Sequence, residues 1–261
     1  MTENNTQIVV LSRNYSTGLG VIRSLGEAGY KTDLIASVQK NGSSVICAAS
    51  KYLNSSIEVL AKDTQRDKGE EIIERLMDYE LCSNKKAILF PTDDYTCSII
   101  DSNRDVLEKK YLMPYVDGEG SIRALMDKNY QSEAARKANL TVPMQWLISL
   151  KNEISLPDDI VYPVFVKPLS SVSGFKSEMA VCKDNEELKK HLKGMKDSFS
   201  DRDVAIQEYL NIEKEYDFSG LCLGDKIIIP GILEKTMVAQ HMRGVTISGI
   251  MKRVDEIPQM K

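Results

Sequence analysis

The sequence predicts an α/β chain in two parts: a Rossmann-like parallel sheet, then an α+β module with an antiparallel sheet. Three observations carry this. Before residue 100, short continuous apolar runs alternate with helix-period patterns, as repeated β-α-β units do. After Pro114 the apolar runs are joined by small-residue loops and tight turns, as antiparallel strands are. Length and composition allow both, since 261 residues at 42% hydrophobic and 28% charged fit one large or two ordinary folded domains. With only 15 Gly and 8 Pro, collagen-like, coiled-coil and wholly disordered classes are excluded.

The elements follow in order. Ile8-Val9-Val10-Leu11 reads as a strand, Ser12 to Gly20 as the turn after it, and Val21, Ile22, Leu25 and Ala28 as a helix stopped at Gly29. Leu34-Ile35-Ala36 is a second strand, Glu70 to Tyr79 an amphipathic helix, and Ala87 to Phe90 a third strand stopped by Pro91. Ligands of such sheets lie beyond the carboxyl ends of the strands, which singles out Ser12-Arg13-Asn14 and Pro91-Thr92-Asp93-Asp94.

Farther on, Ser121 to Met126 and Tyr130 to Ala138 have helical patterns, Asn139 is a helix stop, and Val142-Pro143 begins an extended segment. Val161 to Val166 reads as an apolar strand, Ser170 to Gly174 as a small-residue loop and Glu178 to Cys182 as a return strand. Asp184-Asn185-Glu186-Glu187 has capping-box spacing ahead of Leu188 and Leu192. Val204 to Ile206 is another strand, and Gly224-Asp225 is a hairpin turn between Phe218 to Leu223 and Lys226 to Ile229.

Composition narrows the function classes. With 34 Lys+Arg against 38 Asp+Glu the net charge is −4, so nucleic acid and anionic membrane are not expected partners. Five cysteines, an odd number with no CxxC pair, are expected to be buried apolar residues of a reducing compartment. Met1 to Gln7 lacks the features of a secretion signal, and no run approaches the ~18–20 apolar residues of a membrane span, so a cytoplasmic protein is expected. Only His191 and His241 are present, which disfavours mechanisms needing several imidazoles.

Three segments could carry chemistry. Gly18-Leu19-Gly20 starts like a dinucleotide fingerprint, but Arg23 replaces the third glycine, so a tight strand-to-helix turn is the better reading than an NAD site. Lys167 ends the apolar strand before Pro168, where a lysine is costly unless it meets an anion or snorkels to water. The Ser/Gly loop after it could fold over phosphates. Gln207-Glu208-Tyr209-Leu210 leaves a strand with backbone groups able to pair with an adenine edge, and Glu215 could accept ribose hydroxyls, although both also suit an ordinary strand with acidic neighbours.

Asp127-Lys128, Leu140-Thr141-Val142-Pro143, Tyr162 to Pro168, Gln207 to Leu210 and Glu215, in that order, closely resemble the ATP-grasp superfamily, including enzymes like the carbamoyl-phosphate synthase large subunit. Leu19 to Gly26, Pro91 to Asp94 and Asn103-Arg104 resemble its pre-ATP-grasp partner domain. The resemblance implies a pre-ATP-grasp domain over 1–114 and an ATP-grasp domain over 115–261, with a lid-like subdomain at about 140–207 and the start of the second subdomain at about 208–261. It assigns ATP binding to Lys128, Lys167, Ser173, Gly174, Glu208, Tyr209, Leu210 and Glu215. The implied function is ATP-dependent carboxylate–amine, or carboxylate–thiol, ligation through an acyl phosphate.

The resemblance also implies Mg²⁺, small carboxylate and amine substrates, and compatibility with a homodimer. Family members usually continue to an acidic metal ligand and a Glu-x-Asn pair, so the sequence reads as truncated at its carboxyl end and not necessarily active alone. No metal ligand is assigned, and Asp255 and Glu256 read as a solvated tail. The rival from another class is a non-catalytic nucleotide-binding or assembly module.

Overall fold

The computed structural model describes residues 6–13, 16–38, 45–60, 69–114, 121–169, 178–198, 202–239 and 245–257. They form two units, one running to Ala138 and the other from Asn139.

The first unit is built on a parallel sheet of β1 (Ile8–Arg13), β2 (Thr32–Val38), β3 (Leu53–Leu60), β4 (Ala87–Pro91) and β5 (Tyr111–Leu112), in the order β3-β2-β1-β4-β5. Its helices are α1 (Ser16–Glu27), α2 (Glu70–Asp78), α3 (Asp94–Ser102), α4 (Arg104–Leu107), α5 (Ser121–Met126) and α6 (Lys128–Lys137). Along β1 the side chains divide between two cores. Val9 and Leu11 pack with Ile72 and Leu76 of α2 and Ile99 and Ile100 of α3, while Ile8 and Val10 pack with Ile22 of α1. A strand buried on both faces needs a continuous apolar run, which is why β1 was legible.

Two strands of this sheet escaped the sequence reading. In β3 Asn54, Ser56 and Glu58 alternate outward on the sheet edge, so the strand has no apolar run. Its inward Ser55 donates to buried Asp33 at 2.9 Å, and Gln7 donates to the other Asp33 oxygen at 2.8 Å. In β5 only Tyr111 and Leu112 pair with β4. The Tyr111 hydroxyl is buried and donates to the carbonyl of Leu76, in the last turn of α2, at 2.6 Å.

In the second unit β6 (Gln145–Ser149), β7 (Val164–Pro168), β8 (Ala180–Cys182) and β9 (Asp203–Glu208) form an antiparallel sheet in the order β6-β9-β7-β8. Leu188, Leu192 and Met195 of α7 (Asn185–Ser198) cover Ile148, Val164, Val166, Val204 and Ile206. Asp184 accepts from the Glu187 amide at 2.9 Å, as its spacing predicts. The returning Glu187 carboxylate, however, takes the amide of Lys183 at 2.8 Å, one residue earlier than in a strict capping box.

A separate antiparallel sheet runs β10 (Glu215–Leu223), β11 (Lys226–Ala239) and β12 (Val245–Lys252). Leu223 pairs with Lys226 across the two-residue turn, where Gly224 has φ 62°. Asn139, at φ 59° just past α6, is the helix stop expected of it. The cysteines only partly match expectation, since Cys47 and Cys182 are buried but Cys82 and Cys222 are exposed. Cys82 precedes a surface turn and Cys222 lies on the exposed hairpin, where no core reaches them.

Candidate functional site

Alternation along β7 decides where Lys167 points. Val164 and Val166 face the core beneath α7, so Phe165 and Lys167 take the opposite face, both half-buried. Across the ladder Lys167 stands opposite Ala205 and Phe165 opposite Gln207, which in turn faces Gln145 on β6. The Gln207 amide donates to Gln145 Oε1 at 2.6 Å. This face therefore joins an aromatic ring, an amide pair and a lysine, groups suited to a flat polar ring followed by an anion.

At the end of β9 the backbone N–H of Glu208 donates to the Met144 carbonyl at 2.9 Å, and its carboxylate accepts from the Met144 amide at 3.2 Å. Glu208 is thus clasped to the segment entering β6. Tyr209 and Leu210 leave the ladder with 45% and 46% exposure. Ser173 and Gly174 lie outside the described residues.

Glu215 opens β10 opposite Lys235, a residue the sequence reading missed. Its carboxylate is hydrogen-bonded to the Lys235 ammonium, which also lies 3.1 Å from Asp217. The hydrogen bond to Glu215 is the main reason that Lys235 titrates above the usual lysine value, against the opposing effect of burial. Counted back from the Gly224-Asp225 turn, an unbroken ladder would set Glu215 against Glu234. A register shift between Ser219 and Leu221 sets it against Lys235 instead, replacing like charges with a pair. Glu234 pairs with Lys252, whose hydrogen bond is the largest influence holding its carboxyl below the usual range.

In the first unit, Lys128 is the first residue of α6. Asp127 caps that helix by accepting from the amides of Asn129 and Tyr130, each at 2.9 Å. The adjacent Asp and Lys therefore divide the work, the carboxylate fixing the helix start and the half-buried lysine leaving from it.

The strand ends singled out above do meet, because β1 and β4 are neighbours. Thr92 donates to Ser12 Oγ at 2.9 Å, and Ser12 donates to the Arg13 carbonyl at 2.6 Å. Asp93 caps α3 and also accepts from the Arg13 amide at 3.3 Å. The Arg13 guanidinium lies 5.2 Å from the centre of the Tyr95 ring. This is the point where the strand order reverses, the usual ligand position of an open α/β sheet. Gly18 is needed here for packing, since a Cβ on it would lie 2.2 Å from Ser12 Oγ, whereas Gly20 faces open space.

Among the described residues no group of three or more His, Cys, Asp or Glu side chains is arranged to hold a metal ion. Asp255 and Glu256 are exposed and bonded to Arg253 in a short 3-10 turn. No helix of the described residues is long and apolar enough to cross a membrane.

No family model matches the chain. A carbamoyl phosphate synthase large chain from Lachnoclostridium phytofermentans is 24% identical over 129 residues, covering 49% of this chain and 12% of that protein. Among solved structures, an L-amino acid ligase from Bacillus licheniformis matches with TM-score 0.59 at 10% identity, covering 97% of this chain and 56% of its own. An Aspergillus clavatus carboxyaminoimidazole ribonucleotide synthase complexed with ATP gives 0.60 at 12% identity, covering 89% and 55%. A Staphylococcus aureus N5-carboxyaminoimidazole synthetase complexed with ADP gives 0.59 at 16% identity, covering 90% and 57%. These neighbours are ATP-grasp ligases, and this chain has their α/β fold over somewhat more than half their length.

Proposed function

Because the chain has an ATP-grasp-like fold, we propose that it binds ATP and is part or all of a ligase that joins a carboxylate to an amine or thiol. The observation that carries this reading is a fold likeness spanning about nine-tenths of the chain to solved nucleotide complexes. Lys128 and Lys167 are proposed as phosphate contacts, Glu208 with the backbone of Tyr209 and Leu210 as the adenine edge, Glu215 as the ribose acceptor, and Ser173 and Gly174 as part of the phosphate loop. The strand ends around Arg13, Thr92 and Tyr95 are proposed to select substrate.

In the proposed reaction a carboxylate oxygen attacks the γ-phosphorus, the bond to the β,γ-bridging oxygen breaks, and ADP leaves. The amine nitrogen then attacks the acyl carbon, expels inorganic phosphate and loses a proton. The protein's contribution is position and charge: lysines neutralise the triphosphate, so no histidine or cysteine nucleophile is needed. Magnesium would enter with the nucleotide, and none of the described residues is assigned to hold it.

The test is isothermal titration of the chain with a non-hydrolysable ATP analogue, with and without Mg²⁺, and separately with NAD. Saturable ATP-analogue binding without NAD binding is expected. NAD binding without ATP binding, or no nucleotide binding by folded protein, would overturn the reading. Incubation with ATP, candidate carboxylates and hydroxylamine tests the intermediate, because an acyl phosphate is trapped as a hydroxamate.

A further inference from the structure

A charged pair is buried in the first unit away from the strand ends: Asp101 is 0% exposed and Arg104 7%. Burying two ions is costly, and such pairs are weak sources of stability. This one also bonds to Pro114 and to the first turn of α5. An Arg104 guanidinium nitrogen donates to the Pro114 carbonyl at 2.6 Å and lies 3.6 Å from Asp101 Oδ1. The other Asp101 oxygen accepts the backbone N–H of Arg123, in the first turn of α5, at 3.1 Å. The Arg123 guanidinium returns to Ser102 Oγ at 3.1 Å.

From Arg123 the path to Lys128 is short and bonded throughout. The Asp127 amide donates to Ala124 O at 3.0 Å, the Gln131 side chain donates to Leu125 O at 2.6 Å, and the Asp127 carboxylate caps α6. Movement of α5 would therefore carry the start of α6 with it.

We propose that Asp101 is a positioning residue for Lys128: paired with Arg104, it fixes the first turn of α5 and, through the Asp127 cap, sets where the Lys128 ammonium reaches. The inference rests on the reading of Lys128 as a phosphate contact. A charged anchor suits the task, because a hydrogen bond to an ionised acceptor is stronger than one to a neutral acceptor.

A double-mutant cycle on ATP-analogue affinity separates positioning from general support of the fold. Asp101→Asn should weaken binding about threefold to tenfold in the wild-type background. The loss should vanish in Lys128→Ala and persist in full in Lys167→Ala. An equal loss with and without Lys128, or no loss in a folded Asp101→Asn protein, overturns the proposal. If Lys128→Ala alone leaves affinity unchanged, the phosphate reading of Lys128 fails first and the proposal falls with it. Should Asp101→Asn not fold, Arg104→Lys, which keeps the charge but loses the planar guanidinium, goes through the same cycle with the same expectations.

Discussion

Replacing Lys167 by methionine removes one ammonium while keeping most of the apolar stem. On β7 the residues facing the core are Val164 and Val166, both 0% exposed, and Lys167 stands on the other face opposite Ala205. The substitution therefore leaves the packing beneath α7 unaltered. A hydrogen bond to a charged partner contributes about 1.5–3 kcal/mol. At about 1.4 kcal/mol per tenfold, Lys167→Met should weaken the ATP analogue about 10-fold to 150-fold. The assay is isothermal titration beside a circular-dichroism melt of the same preparation. An affinity within about twofold of wild type, in protein that melts normally, would refute the phosphate role of Lys167.

Three further outcomes are expected. Glu215→Gln should weaken ATP more than inorganic triphosphate in competition titrations, since only ATP carries a ribose; equal losses would contradict the ribose role. Gly18→Ala places a Cβ 2.2 Å from Ser12 Oγ and should lower stability by about 1–3 kcal/mol in urea unfolding. Gly20→Ala, with nothing within 4 Å, should instead raise it by about 0.5–1 kcal/mol; the reverse order would show that α1 does not lie on β1 as described. Burial is the main cause that pushes the Tyr111 phenol above its ordinary value, so the native state keeps it protonated. Its stabilising contribution is complete below about pH 10, where unfolded tyrosine titrates, and is lost as pH rises above that. Tyr111→Phe should cost about 0.5–1.5 kcal/mol at pH 8 and flatten the alkaline fall in stability; parallel curves for the two proteins would exclude this.

The residues explain which parts of the molecule could be read from the chain alone. β1, β2 and β4 were legible through the apolar runs Ile8 to Leu11, Leu34 to Ala36 and Ala87 to Phe90 at the middle of the sheet, whereas edge strand β3 satisfies its outward positions with Asn54, Ser56 and Glu58 and leaves no such trace. The start of α7 was legible because cap and helix are adjacent, as Asp184 shows, whereas the cap that Asp127 gives α6 was not read. β12 was missed: its alternating Thr246, Ile247, Ser248 and Gly249 were not read as a strand.

Sequence by itself thus determined the order of the α/β and antiparallel parts, the turn at Gly224-Asp225, and that Lys167 ends an apolar strand, because periodicity and turn chemistry are local. Only the tertiary structure decided that Glu215 meets Lys235 instead of Glu234, and that Asp101 holds the first turn of α5. The first depends on a register shift within a ladder, and the second on a hydrogen bond between residues 22 positions apart. Neither leaves a period or a neighbouring residue by which it could be recognised, since both are fixed by where the folded backbone places distant groups.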